Sequence, residues 1–384
     1  MSLAALSLSP VLSFAAPARS APAFAMRSVT VAEWDNAVAG FDAVCQEQLA
    51  TFAMARWPGV ALEPLLFHLD DQAIGGCLIM IQPLPLGLGA IAVAKWAPML
   101  RRTGERASNA LFGRMIDALT EEYADRRGMM LSILPRASTG ALNTDYEHLT
   151  ERGFRKGATL LFPDRYIVDL RLTDTEQRAS FHQKWRYHLN KADKAGLTFE
   201  RAEAERLPEF TALYEQMVDR KKFPDHSAYG TMPALMAMDN PTLRPELFFV
   251  RHDGRIVAGA IIFKAGDRAV YLYGATSAEA LELRAGYFLH WHIIRWLRDN
   301  TPARWYDLGG TDGFHGLHQF KKGMVGERGV ISPVPPVANY ASRWWPRFIG
   351  EAAFAAREVL HQVERRVDWL RPDRARPDQH RTAR

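Results

Sequence analysis

Two stretches of the chain combine residue types that could hold an activated, phosphate-bearing donor. Residues 305–324, WYDLGGTDGFHGLHQFKKGM, run from a short apolar strand into two glycines and on to Phe320, Lys321 and Lys322. Gly309 and Gly310 let backbone approach backbone or ligand with no side chain between, and Thr311-Asp312-Gly313 ends the strand sharply. Phe320, Lys321 and Lys322 are expected to aim at one spot, with Lys321 partly exposed. The plainer reading is a strand followed by a solvated basic helix end, since adjacent lysines are common on surfaces.

The second stretch is FHQKWRYHLNKADKAGLTFE, residues 181–200, expected within one helix over about 176–194. At ~100° per residue, Phe181, Trp185, Leu189 and Ala192 share an inward face, while Lys184, Tyr187, Lys191 and Lys194 form a basic stripe with an aromatic. Arg186 falls between the faces, where a planar guanidinium can grip a diphosphate or carboxylate bidentately. A solvated helix face is the alternative. In VYLYGA, residues 270–275, strand alternation puts Tyr271 and Tyr273 on one side of a sheet, as core or as ligand contacts. Asp307 could serve as a general base, cap the turn that follows, or orient Lys321.

Together these stretches resemble the Fem family of non-ribosomal peptidyltransferases (FemA, FemB and FemX type), which pairs a K-x-R-x-x-x-x-K-A-x-K-x-G helix with a later Y-D-x-G-G and G-L-x-x-F-K-x-G-[FM]. The matching residues are Lys184, Arg186, Lys191, Ala192, Lys194 and Gly196, then Tyr306, Asp307, Gly309 and Gly310, then Gly316, Leu317, Phe320, Lys321, Gly323 and Met324. The resemblance implies two acetyltransferase-like lobes and transfer of an amino acid from aminoacyl-tRNA to an amine of a peptidoglycan precursor. It implies that Lys321 is catalytic with Asp307, that Phe320, Lys321 and Lys322 bind the tRNA end, and that Arg186, Lys184, Asn190, Tyr273 and Tyr271 bind the acceptor. Asn190 stands where relatives often carry tyrosine. Such a transfer needs little covalent machinery: the ester is already activated, so positioning, charge stabilisation by a lysine and a stacking surface such as Phe320 carry the work.

In the first half the resemblance thins. The R-G-P-x-x-D element of relatives corresponds to KWAPMLRR, residues 95–102, which lacks the carboxylate, and no lysine follows Trp57. The acceptor need not then be a standard muropeptide.

The chain has 384 residues, 48% of them apolar, enough for two lobes with full cores. Its net charge of +5 and pI near 9.2 suit anionic partners without naming one. Cys45 and Cys77 lack metal-site spacing and are expected to be buried free thiols; no metal is expected, and no cofactor beyond the tRNA co-substrate. The expected location is the cytoplasm, with peripheral contact at the inner membrane face, and the expected state a monomer. Residues 1–27 are read as a disordered leader.

Both halves repeat one order, a strand hairpin, a long helix and a short strand, and Asp253-Gly254 is a strong two-residue hairpin turn. The expected class is α+β, two tandem lobes with mixed, mostly antiparallel sheets. The first spans 28–165, closing after Gly153-Phe154, and the second 166–337. Residues 338–384 form an amphipathic helix over about 346–370, with Ile349, Ala353 and Ala356 on its apolar face, and a charged tail. Only two ordinary helices are expected between Gly196 and Leu247, so tRNA contact must use the lobe surfaces. The rival is an acyl-CoA-dependent N-acyltransferase, which binds pyrophosphate through [QR]-x-x-G-x-[GA] at a helix start. Here Arg284-Ala-Gly-Tyr-Phe-Leu puts Tyr287 where the first glycine belongs.

Overall fold

The computed structural model describes residues 23–100, 108–221 and 228–369. Residues 1–22, Arg101, Arg102 and the tail after Trp369 lie outside the described residues.

Each half builds a mixed sheet. The first sheet uses β1 (Phe24–Ser28), β2 (Ala61–Leu69), β3 (Gln72–Pro83), β4 (Ala90–Lys95), β5 (Met99–Leu100), β6 (Met130–Leu134) and β7 (Arg155–Lys156). The second uses β8 (Asp164–Asp169), β9 (Thr198–Ala202), β10 (Glu246–His252), β11 (Arg255–Phe263), β12 (Arg268–Thr276), β13 (Trp305–Asp307) and β14 (Val330–Pro333). One more strand, β15 (Ala338–Tyr340), follows the second sheet in sequence yet pairs between β6 and β7 of the first. The two sheets are therefore tied by the chain's own return.

The internal repeat is visible in the pairing. In both sheets a parallel pair is joined through a long helix: β4 with β6 across a helix that starts at Asn109, and β12 with β13 across helix Ala285–Asn300. The remaining pairs are antiparallel. The Asp253-Gly254 turn closes β10 on β11 with positive φ at both residues, as a two-residue hairpin with matching twist requires.

Three expectations are corrected here. Residues from Phe24 belong to the first sheet, because β1 pairs along its length with β2. The helix expected over 176–194 is two, Asp174–Ser180 and Gln183–Ala192, broken at Phe181 and His182, whose backbones are extended. On the last helix, Trp344–Trp369, the packed residues are Ile349, Ala353 and Phe354, against Leu84, Ile91 and Met130, while Ala356 is exposed.

The core lies in three main clusters. One fills the first lobe around Phe67, Ile116 and Leu131, one packs on one face of the second sheet around Trp185 and Phe248, and the third covers the other face and continues into the first lobe through Trp34, Phe41 and Leu49. Cys45 and Cys77 are buried free thiols, as their apolar contexts suggested.

Candidate active site at the splayed end of β12 and β13

The parallel pair β12 and β13 holds for three rungs, ending at Val270 opposite Asp307. Beyond it the strands part, and Leu308 and Gly310 are left with carbonyls that the sheet does not use. Lys321 fills that gap from helix His315–Val325: its Nζ donates to the Leu308 carbonyl at 2.5 Å and to the Gly310 carbonyl. Gly309 takes φ of 76°, a backbone conformation that glycine adopts without strain and that the turn above the lysine requires.

Lys321 is only 6% exposed, which corrects the expectation of a partly exposed side chain. Burial, with the Arg165 charge nearby, brings its pKa down to about 8. Two of the ammonium's three protons serve the carbonyls, leaving one N–H for a ligand. Phe320, Lys321 and Lys322 do not converge. Successive helical positions spread them: Phe320 packs half-buried against Trp185, Tyr287 and His290, Lys321 turns inward, and Lys322 is exposed.

Asp307 is buried and accepts from the Gly309 N–H at 2.9 Å and from Arg165 Nε at 3.1 and 3.2 Å. Burial alone would raise its pKa, but Arg165 and Arg268 hold it below the ordinary carboxylate value. It is a turn cap and ion-pair partner, already ionised and poorly suited to take a proton, and it makes no direct bond to Lys321.

Tyr271 and Tyr273 lie on opposite faces of the sheet, contrary to simple alternation. The register slips at Leu272, with Ile262 opposite Tyr271 and Ile261 opposite Tyr273, so one extra residue turns Tyr273 over. Tyr271 stays on the Lys321 side, 5.0 Å from the His290 ring, and Lys321 Nζ lies 5.8 Å from its own. Tyr273 joins Tyr214 and Tyr229 on the other side. A β-carbon on Gly274 would fall 1.6 Å from the Tyr271 hydroxyl, so the glycine makes room for that ring.

A GNAT acetyltransferase domain model matches residues 179–322, from β9 to β13 of the second sheet with the helices between and beside them. Over 77 residues the chain is 32% identical to the lipid II:glycine glycyltransferase of Staphylococcus aureus, a stretch that spans only 18% of this chain and 18% of that relative. Among solved structures, FemX superposes with a TM-score of 0.65 at 19% identity, covering 83% of this chain and 97% of FemX. The two-lobed fold is thus shared with FemX. The same fold recurs in L-PGS of Bacillus licheniformis, with a TM-score of 0.52 at 14% identity over 84% of this chain and 95% of that one.

Within this two-lobed fold, helix Gln183–Ala192 presents Lys184, Tyr187, Lys191 and, just past its end, Lys194 to solvent, with Tyr187 65% exposed. Arg186 is half-buried, and its Nη1 donates to the Ala179 carbonyl at 2.8 Å and the Phe181 carbonyl at 2.5 Å. One edge of its guanidinium therefore secures the break between the two helices. Asn190 is exposed and accepts from Arg178 Nη1 at 3.3 Å. No lysine follows Trp57 in sequence, yet Lys95 Nζ reaches its ring from β4, 4.5 Å from the centroid, and pairs with Glu47 at 2.8 Å. A carboxylate thus stands beside the KWAP stretch after all, contributed by Glu47.

Sequence reasoning missed Arg136, Arg165 and Arg268, which converge between the lobes. The available signal was an arginine at the start or just past the end of each of three apolar strands: Arg165 in β8, Arg268 in β12, and Arg136 after β6. It also missed His290, which burial and the Lys321 charge lower to about 3, fixing a neutral ring beside Tyr306 and Tyr271.

Proposed function

We propose that the protein is an aminoacyltransferase that moves an amino acid from aminoacyl-tRNA to an amine of a peptidoglycan precursor or a related cell-envelope acceptor. The observation that carries this reading is Lys321, buried at the splayed strand ends with one N–H left over. The lipid II:glycine glycyltransferase relative supports the acceptor class.

In the proposed reaction the acceptor amine attacks the ester carbonyl of the donor. The C–N bond forms as the C–O bond to the ribose breaks, and the amine proton ends on the released ribose hydroxyl. Holding the two reactants in register supplies most of the rate. The remaining Lys321 N–H meets the charge that develops on the carbonyl oxygen or sits on the tRNA end phosphates. Phe320 offers a ring for the terminal base, exposed Lys322 a phosphate contact, and the Lys184, Arg186 and Lys191 face a grip on the acceptor. This donor would place the reaction in the cytoplasm, at the inner membrane face if the acceptor is lipid-linked; no described helix is long and apolar enough to cross a membrane.

The GNAT domain match favours one second reading, transfer from an acyl-CoA. Against it, the Tyr287 ring lies at the start of helix Ala285–Asn300, 4.9 Å from the rings of both Phe320 and His188, where a pyrophosphate loop needs a bare backbone. The test offers the purified chain charged tRNA, a CCA-ended analogue or acetyl-CoA with a cell-wall precursor, and weighs the product. An aminoacyl mass gain from charged tRNA is expected. Acetyl transfer with saturable micromolar acetyl-CoA binding would replace this reading with the second.

A further inference from the structure

Between the lobes lies a small cavity of about 30 Å³ whose charged wall comes from both sheets. Glu47, Trp96 and Arg136 face it from the first lobe, and Arg165, Arg268 and Asp307 from the second. It opens on the opposite face of the second sheet from Lys321, since Val270 lines it while Ala269 and Tyr271 pack on the other side.

The charges around this cavity are not all paired. Glu47 is matched by Lys95 at 2.8 Å, Asp307 by Arg165 at 3.1 Å, and Arg136 by Asp267 at 3.5 Å. Among the described residues no carboxylate forms an ion pair with Arg268, which feels Asp307 and Asp267 only at longer range; its Nη1 donates to the Ala137 carbonyl at 2.9 Å, and the residue is only 6% exposed. Asp145 lies near both Arg136 and Arg268 without pairing with either among the described residues; burial raises its pKa, against the two guanidiniums, which lower it. The Cys45 thiol on the same wall is kept neutral by burial. Arg268 is thus the cation on this wall without a direct carboxylate partner. Two buried N–H groups, Arg136 Nη2 and Arg268 Nε, have no hydrogen-bond partner among the described residues. Native interiors rarely leave such donors idle, and an uncompensated buried charge is costly to keep.

We propose that this cavity is a binding site for a singly charged carboxylate, held by Arg136 Nη2 and Arg268 Nε across the lobe boundary. One carboxylate matches one unpaired charge and two donors on separate guanidiniums. A dianionic phosphate would leave a surplus negative charge between Trp96, Val270 and Ala137, where its desolvation goes unrepaid. Because each lobe contributes one donor, the ligand also fixes the lobes against each other. Assigning it as the terminal carboxylate of a peptide acceptor rests on the proposed function; the carboxylate site itself does not.

The test is calorimetry on the full chain with an N-acetylated dipeptide, its C-terminal amide and inorganic phosphate. The acid should bind saturably, with the amide at least about tenfold weaker, because the amide leaves a buried charge unmatched. Phosphate should not displace the acid, and Arg136→Gln should weaken the acid by about tenfold while leaving the amide unchanged. Equal binding of acid and amide, displacement by phosphate, or no saturation up to about 10 mM acid overturns the proposal. If Arg136→Gln does not fold, the acid and amide comparison on the unaltered chain decides alone. Acid-selective binding without any aminoacyl transfer would uphold the site and remove only its assignment to an acceptor.

Discussion

The two lobes end their parallel strand pairs differently, and under the proposed function the difference locates the chemistry. In the first lobe β4 and β6 stay paired for five rungs, and the Trp96 N–H then closes on the Leu134 carbonyl at 2.6 Å. The end is sealed by backbone and packed with Ala137, Val334 and Val337. In the second lobe the pair parts after three rungs, and the orphan carbonyls are met by the ammonium of Lys321. A backbone seal leaves no free donor at the strand ends. A side-chain seal leaves a proton and a charge.

The largest expected effect comes from removing that seal. Lys321→Ala should lower transfer on the order of a hundredfold or more, as loss of a charge-stabilising donor does. It should also destabilise the fold by about 1–3 kcal/mol, since two buried carbonyls lose their partner. Rate and denaturant unfolding measured on the same variant check both, and full activity in folded Lys321→Ala would erase the distinction between the lobes. The same lysine predicts opposite pH slopes. Its folded pKa of about 8 lies below the ordinary 10.5, so between those values the unfolded chain holds more protons and this group's contribution to stability grows with pH. Transfer, which needs the ammonium, should fall as pH rises through about 8. Lys321→Met should flatten both slopes.

Smaller effects sharpen the comparison. Gly274→Ala drives a methyl into the Tyr271 hydroxyl and should destabilise by about 1–3 kcal/mol, read as a lower Tm; an unchanged Tm would mean that the bulge does not fix that ring. Arg186→Lys should raise acceptor KM several-fold more than donor KM, and cost about 1 kcal/mol as the Ala179 and Phe181 carbonyls lose a fork-shaped donor. Equal acceptor KM in variant and parent would confine Arg186 to its structural bonds. The smallest change in stability is expected in the first lobe: Lys95→Ala breaks a partly exposed pair with Glu47 worth about 0–1 kcal/mol, read as a Tm shift. A larger loss of stability would make that pair a structural element of the first lobe.

The tandem architecture was legible because hydrophobic runs, the Asp253-Gly254 turn and the repeated order of elements all reflect local rules. The diglycine and the lysine at 321 were legible as motif, but burial was not, because it depends on where β12 and β13 part company. Tyr271 and Tyr273 show a second limit: period-two alternation fails at one inserted residue, and nothing in VYLYGA marks Leu272 as that residue. The convergence of Arg136, Arg165 and Arg268 was hidden for a third reason. They sit on three separate strands, and only the docking of the lobes makes them neighbours.

The return of β15 has a consequence for how the molecule is made. Ser132 bonds to Asn339 across 207 residues of sequence, so the gap between β6 and β7 stays open until the whole second sheet and its helices have left the ribosome. The first-made lobe is thus the last to be finished, and its two waiting edges must avoid other partners throughout synthesis. Long-range closure of this kind slows folding, and it places the cost of assembly on the first lobe.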